Sequence, residues 1–286
     1  MKHSSALGFF YTFAYILCIV FSFLWIQKLS HQIPIYFILL SSTVLSLLAF
    51  NIINFSSIGR IHKIILSDFK QWFIMSLTLA FIWIFSFLAA ADSAFLFVTY
   101  FFLTNALSAA VYYRLFGKGI AIFIVMLAII FWEPGHIATT IYSIIAGVLG
   151  FIYWLNSVNF SKKHELKPSE VLAIRFYILL IFALIMCWSS APDLVNINWT
   201  WAEIETLLAI ALFNQILPNF FSQSGAQKLD VKQFSFIVSF IPFLAFIGNG
   251  LFYQEWNVTL CIISLLATLA LNFDIVFSRN KESTNR

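Results

Sequence analysis

Long apolar stretches separated by short polar links run through most of this chain. A helix that crosses a membrane needs about 20 predominantly apolar residues, with a range of about 17–25. This length predicts ten transmembrane helices, at residues 7–27, 34–55, 72–90, 94–115, 119–132, 137–157, 170–189, 204–222, 233–253 and 258–277. The fifth stretch is short enough to be re-entrant with the sixth, which would leave eight crossings.

The composition agrees with this pattern. The sequence is 62% hydrophobic and only 10% charged, whereas a soluble domain carries about 25% charged residues. The predicted fold class is therefore an all-α polytopic membrane protein with no soluble domain. Its three cysteines form neither a disulfide framework nor a CxxC pair. No histidine has HExxH spacing, so neither a metal nor another cofactor is expected.

The basic residues predict an orientation. With the N-terminus inside, the inner links hold every Lys and Arg except Lys28, as the positive-inside rule requires. Both termini are then cytoplasmic, and the expected location is the cell (inner) membrane. Eight crossings would give the same distribution. No run of basic residues indicates binding to nucleic acid; the lipid bilayer is the expected surroundings, for a monomer or a homodimer.

Two prolines fall inside apolar stretches. Pro242 interrupts the ninth span and Pro218 the eighth. A proline inside a helix removes a backbone hydrogen bond and kinks the helix, and lipid does not tolerate the gap unless protein or a water-filled cavity accommodates it. Both prolines are therefore predicted hinges beside a pathway through the membrane.

The two halves of the chain share a layout. Aligning Asn105 with Pro242 places Lys118 on Glu255, each followed by one further span. Since five spans per half is an odd number, the halves must be inverted relative to each other. The sequence thus predicts repeats at residues 1–133 and 134–286, an arrangement that many transporters use.

In these features the chain resembles the EamA-type members of the drug/metabolite transporter superfamily, which are similar in length and in their five-plus-five inverted repeat. Their repeats carry a proline in the fourth span and an acidic residue before a last, small and apolar span. Pro242, Glu255 and residues 261–277 match that pattern, whereas Asn105 and Lys118 depart from it. The resemblance implies a secondary transporter, with a leaning towards export.

Polar side chains deep in a membrane are costly and therefore are candidates for function. Asn214, Gln215 and Asn219 in the eighth span are predicted to hydrogen-bond a solute. The alternative is helix–helix packing, to which such amides contribute about 1 kcal/mol. Further candidates for the substrate site are the polar residues Asn105, Thr139 and Ser143, and the aromatic residues Tyr15, Trp83 and Tyr100.

Small residues recur on one face of the sixth span, where Gly147 and Gly150 continue the spacing of Thr139 and Ser143. This spacing favours close packing against a neighbouring helix. Arg175, near the inner end of the seventh span, is expected to extend its side chain to the lipid headgroups.

No carboxylate is predicted at mid-membrane, so the expected cavity is neutral and partly aromatic. It would accept a small zwitterionic or amphipathic metabolite, such as an amino acid, and pass it across by alternating access. An enzyme is not expected. Two alternatives stay open, an integral-membrane enzyme acting on a lipid and a non-transporting structural subunit.

Overall fold

Helices make up almost all of the described structure. The computed structural model describes residues 2–189, 200–229, 231–254 and 256–273, and none of these residues forms a strand. The helices are α1 (Lys2–Ser30), α2 (Ile35–Ile53), α3 (Ile58–Ser67), α4 (Phe69–Asp92), α5 (Ala94–Tyr112), α6 (Phe116–Trp132), α7 (Ile137–Lys163), α8 (Pro168–Ile174), α9 (Tyr177–Ser189), α10 (Trp201–Ile210), α11 (Leu217–Lys228), α12 (Val231–Val238), α13 (Ile241–Tyr253) and α14 (Val258–Leu271). Glu255, on which the repeat alignment partly rests, lies outside the described residues.

Eight helical stretches are long and apolar enough to cross a membrane: Ala6–Ser30, Ile35–Ile53, Phe69–Asp92, Ala94–Tyr112, Pro134–Lys163, Pro168–Ser189, Trp201–Gly225 and Gln233–Tyr253. Two shorter apolar helices, α6 and α14, complete the set. All ten lie where the sequence predicted apolar spans. Large apolar side chains such as Phe131 and Trp188 are exposed on the outside of the bundle, as they would be in lipid. The all-α, multi-pass architecture is that of the prediction.

Aromatic side chains fill the centre of the bundle where α1, α4 and α5 meet. Phe23 on α1 packs edge to face on Phe97 of α5, with ring centroids 4.6 Å apart. It also stacks on Trp83 of α4, at 6.5 Å. Such pairs contribute about 0.5–1.5 kcal/mol beyond the area that they bury, so this cluster holds three helices in a defined relation.

The last three of the long stretches are interrupted. A turn at Arg175 and Phe176 separates α8 from α9, a π turn at Ala211–Ile216 joins α10 to α11, and a turn at Ser239 and Phe240 separates α12 from α13. Pro242 lies in the first turn of α13, where its missing N–H costs no helical bond. The predicted interruption of the ninth span is confirmed, and it precedes the proline.

The small-residue face of α7 packs closely on α5. A Cβ atom added at Gly147 would lie 2.7 Å from the Cβ of Thr104 and 2.8 Å from the carbonyl oxygen of Phe101. One added at Gly150 would lie 3.0 Å from the amide nitrogen of Asn105. The close packing predicted from the spacing is confirmed, and Asn105 is one of the residues that it buries in part.

Ion pairs mark one end of the bundle, which we call the basic end because Arg60, Lys163 and Lys167 lie there. Lys163 and His164, at the end of α7, contact the carboxylate of Asp68 between α3 and α4, at 2.8 and 3.0 Å. Hydrogen bonds from Lys163 and then His164 hold the pKa of Asp68 below its usual value. This carboxylate therefore ties α7 to the start of α4. The opposite, acidic end carries Asp92 and Glu133.

We expect Gly147→Ala to destabilise the protein by about 1–3 kcal/mol, because the added methyl group overpacks the α5–α7 contact. The matched control is Gly59→Ala on α3, where a Cβ would meet nothing within 4 Å and alanine is the better helix former. Thermal unfolding in detergent, followed by tryptophan fluorescence, measures both. Equal melting temperatures for the two variants would contradict this account of the packing.

Candidate functional site

The π turn places two amide side chains at the centre of the bundle. Within it, the backbone N–H of Leu217 donates to the carbonyl of Leu212, five residues back. Pro218 follows, and a proline cannot donate a helical bond and collides with the carbonyl four residues before it, here that of Asn214. The wider π turn relieves that collision. Such turns inside α-helices occur frequently at functional sites.

Asn214 and Gln215 join three helical segments. Both are completely buried. The Asn214 amide nitrogen donates to the hydroxyl of Ser22 on α1 at 2.9 Å, and the hydroxyl of Ser46 on α2 donates to the Gln215 amide oxygen at 3.1 Å. We call these residues, together with Ser42 one turn before Ser46, the amide cluster.

The amide cluster is incomplete. The Asn214 amide oxygen, the Gln215 amide nitrogen and the Ser42 hydroxyl are buried and have no hydrogen-bond partner. Leaving a buried polar group unpaired costs about 1–3 kcal/mol, and buried polar groups are paired in the great majority of cases. An acceptor, a donor and a hydroxyl in one buried place are what a polar solute would satisfy.

Three other predicted residues contact this cluster or share a helix face with, or pack on a neighbour of, one of its members. The Asn219 amide donates to the backbone carbonyl of Gln215, so it supports the π turn itself. Tyr15 is half-buried on α1, seven residues before Ser22 and so on the same face. Trp83 stacks on Phe23, next to Ser22, and its indole N–H is buried without a partner.

The remaining predicted residues are engaged elsewhere. The Tyr100 hydroxyl donates to the backbone carbonyl of Met126 on α6 at 3.4 Å, and Asn105 lies against Gly150. Thr139 donates to the carboxylate of Asp92, and Ser143 donates to the carbonyl of Thr139 at 2.6 Å. The last two therefore belong to the acidic end of the bundle.

A polar cavity of about 240 Å³ opens at the acidic end, lined in part by Gln27, Asp92, Glu133, His136 and Asn249. His136 contacts the Asp92 carboxylate at 2.8 Å. Thr139 also donates to this carboxylate. The Gln27 amide accepts from the backbone N–H of Ala94 at 2.9 Å. These bonds tie α1, α4, α5 and α7 together around the cavity.

A second, apolar groove of about 570 Å³ lies between α5, α6 and α7. The polar side chains in its lining are the hydroxyls of Thr104, Ser108 and Tyr112, and the lining contains no histidine or carboxylate. The groove is therefore mainly apolar, with a few hydroxyl groups on α5.

Sequence reasoning missed part of this site. Ser42 and Ser46 stand at i and i+4 on α2, a spacing that could have marked one polar face, but serine alone is a weak signal in an apolar helix. Arg175 was expected at the headgroups, and this expectation is wrong. The residue is only 2% exposed, because the break between α8 and α9 turns it into the bundle.

Comparisons of the chain with family models, curated proteins and solved structures found no match. Its function is therefore inferred from these residues and their geometry.

We expect Asn214→Leu and Gln215→Met to fold with melting temperatures equal to or above that of the wild type. Each replacement removes a buried amide that has an unpaired atom. The Ser22 hydroxyl keeps its bond to the carbonyl of Ile19, and the Ser46 hydroxyl can turn to the carbonyl four residues before it, as serines in helices do. Neither replacement then leaves a buried donor unpaired, which is the costly outcome. The matched control is Asn54→Leu. The Asn54 amide is fully bonded, donating to the carbonyls of Phe50 and Ser169 and accepting from the Ser169 hydroxyl.

Thermal unfolding in detergent distinguishes the loss of an amide with an unpaired atom from the loss of a fully bonded amide. Losing the Asn54 bonds is expected to cost about 1–3 kcal/mol. If Asn214→Leu and Gln215→Met are destabilised as much as Asn54→Leu, the amides serve helix packing and not a ligand.

Proposed function

We propose that this protein is a secondary transporter of a small zwitterionic or amphipathic metabolite, working by alternating access between two inverted halves at residues 1–133 and 134–286. In this proposal all ten apolar segments cross the membrane, numbered in chain order. The fifth and tenth are α6 and α14, the seventh is α8–α9, the eighth is α10–α11 and the ninth is α12–α13.

The observation that carries the proposal is the pairing of these segments. For most packed pairs, adding five to both segment numbers gives another packed pair. Segment 1 packs on 8 as 6 packs on 3, segment 2 on 8 as 7 on 3, and segment 4 on 6 as 9 on 1. Segments 4 and 5 pack as 9 and 10 do, and the pairs 2–7, 4–9 and 5–10 are each related to themselves. Such a pairing is expected of a two-fold related repeat, and only the pairs 4–5 and 9–10 are neighbours in sequence.

Three pairs break this relation among the described residues. Segment 1 packs on 3 and on 4, and segment 4 packs on 10, but the related pairs 6–8, 6–9 and 5–9 have no equally extensive contact. An inverted repeat that alternates access must hold its two halves in different conformations at any moment, so that exchanging them moves the opening to the other side. The asymmetry supports that reading.

The amide cluster lies where such a carrier would bind its substrate. Ser22, Ser42 and Ser46 come from the first half, and Asn214 and Gln215 from an interrupted helix of the second. Transporter sites typically form between repeats, beside broken helices near the middle of the membrane. Tyr15 and Trp83 would supply the aromatic walls of the site. Asn105, Tyr100, Thr139 and Ser143 remain predicted contacts along the substrate's path.

The other parts of the proposal rest on the sequence. The distribution of basic residues supports cytoplasmic termini in the cell (inner) membrane, as a monomer or a homodimer, and the family resemblance supports export. The proposal does not include an enzymatic activity.

Solute flux tests the proposal directly. Proteoliposomes loaded with an equimolar mixture of the twenty amino acids are expected to release one or a few of them faster than protein-free liposomes. Release is measured by mass spectrometry with and without a proton gradient. Liposomes containing Gln215→Met, which is expected to fold, serve as the control and should leak no faster than protein-free ones. If none of these solutes is released faster than from protein-free liposomes, and the protein turns over a lipid, the proposal is overturned.

The two prolines are expected to differ as hinges. Pro218→Ala restores a helical donor beside the π turn, so we expect a more regular eighth segment, a higher melting temperature and slower transport. Pro242→Ala is the control, because Pro242 lies in a first turn where no bond is lost, and its flux should stay near that of the wild type. Equal flux from both variants would remove Pro218 as a hinge.

A further inference from the structure

The guanidinium of Arg175 is a buried cation without an anionic partner. Only 2% of the residue is exposed, and an arginine cannot lose its proton in a protein. No described carboxylate lies within ion-pair distance of it. At the same end of the bundle Glu170 pairs with Arg60, and Asp68 with Lys163. A buried charge without a partner is strongly unfavourable, so its retention calls for an explanation.

The bonds that Arg175 does make leave one edge of the guanidinium open. The nitrogen Nη1 donates to the hydroxyl of Tyr153 on α7 at 2.5 Å. The nitrogens Nε and Nη2 have no partner. These two N–H groups point the same way along one edge of the planar fork, the edge that binds both oxygens of a carboxylate or phosphate in parallel.

The neighbouring groups do not occupy the edge formed by Nε and Nη2. The two carbonyls that precede Arg175, at the end of α8, are already bonded: Asn51 donates to Ala173 at 3.2 Å and Trp72 donates to Ile174 at 3.0 Å. Aromatic faces hold the cation, with the guanidinium carbon 5.6 Å from the ring centre of Tyr153 and 4.8 Å from that of Phe176. Cations are attracted to such faces, but the contact satisfies no N–H.

Tyr153 holds the guanidinium in place. Its hydroxyl oxygen accepts from Nη1, which lies across the guanidinium from the edge formed by Nε and Nη2. Two buried N–H groups on one edge, with the third nitrogen held by Tyr153, make the oxyanion site.

Helix α2 connects the two sites. On α2, Ser46 contacts Gln215, and Asn51, five residues later, contacts the carbonyl of Ala173, two residues before Arg175. Five residues of helix rise about 7.5 Å. The oxyanion site therefore lies on the side of the amide cluster that faces the basic end.

We propose that Arg175, positioned by Tyr153, binds the oxyanion of the substrate, so that the transported solute carries a carboxylate. This deepens the proposed function and rests on it for the solute's passage, since the buried edge becomes accessible only when the halves part. The same two donors would also take the phosphate of a lipid headgroup, and the experiment separates these two sources.

Binding is measured with the full chain in nanodiscs made of phosphatidylcholine alone. The probes are benzoate and benzamide, which match in shape and differ in the oxyanion. Benzoate is expected to raise the melting temperature and to bind in a radiolabel assay, and benzamide is not. Arg175→Gln should abolish this binding. Arg175→Lys, which keeps the charge but loses the bidentate edge, should weaken it by about tenfold or more.

Two further variants make the result specific. Arg60→Gln removes a cation from the same end of the bundle and should leave benzoate affinity unchanged. Tyr153→Phe should weaken it several-fold. If Arg175→Gln does not fold, the benzoate affinity of Arg175→Lys is the test. An unchanged benzoate affinity in that variant overturns the proposal. Equal binding of benzoate and benzamide to the wild type overturns it as well.

Nanodiscs containing phosphatidylglycerol identify the source of the anion. If the lipid stabilises the wild type but not Arg175→Gln, and displaces benzoate, the site holds a headgroup and the substrate assignment is overturned. Binding does not depend on flux, so the two proposals fail separately. Benzoate binding that depends on Arg175 without any solute flux would overturn the carrier alone. Flux that Arg175→Gln leaves unchanged would overturn the substrate site alone.

Discussion

Polar groups inside an apolar bundle have no water to pair with, and the rest of this structure depends on that constraint. Where the chain can pair them it does so within a single helix, as Thr43 does by donating to the carbonyl of Leu39, or between neighbouring helices, as Asn54 does with Ser169. The unpaired donors and acceptors are therefore informative. Asn214, Gln215 and Arg175 all leave such atoms open, and each stands at or beside an interruption in a helix.

For Asn214, Gln215 and Arg175, the interruption and the open polar group have one physical origin. A continuous helix satisfies its own backbone and presents its side chains in a fixed register. A break frees backbone carbonyls and turns side chains in directions that the regular register would not allow. At the end of α8, Asn51 and Trp72 take the freed carbonyls, and Arg175 is turned into the bundle with one edge unoccupied. The π turn at Ala211–Ile216 does the same for the two amides.

Much of the fold could be predicted, because helix length and apolarity are local properties. The positions of the ten apolar segments, the interruption before Pro242 and the close packing of Gly147 and Gly150 all follow from spacing and residue type. The site was harder to predict. Asn214 and Gln215 were visible as amides in an apolar stretch, but the serines that meet them, Ser22 and Ser46, stand 192 and 169 residues away in sequence.

The sequence by itself determined that this is an all-α chain built for an apolar environment, since its composition cannot cover a water-facing surface. It also located the helix-breaking prolines. Only the tertiary structure decided which polar groups lie next to each other and which have no hydrogen-bond partner. Arg175 shows why: its position near a predicted helix end indicated contact with solvent or headgroups, and burial came from a break in the helix and from the faces of Tyr153 and Phe176. Packing determines which residues meet across helices, and the local sequence pattern does not specify that packing.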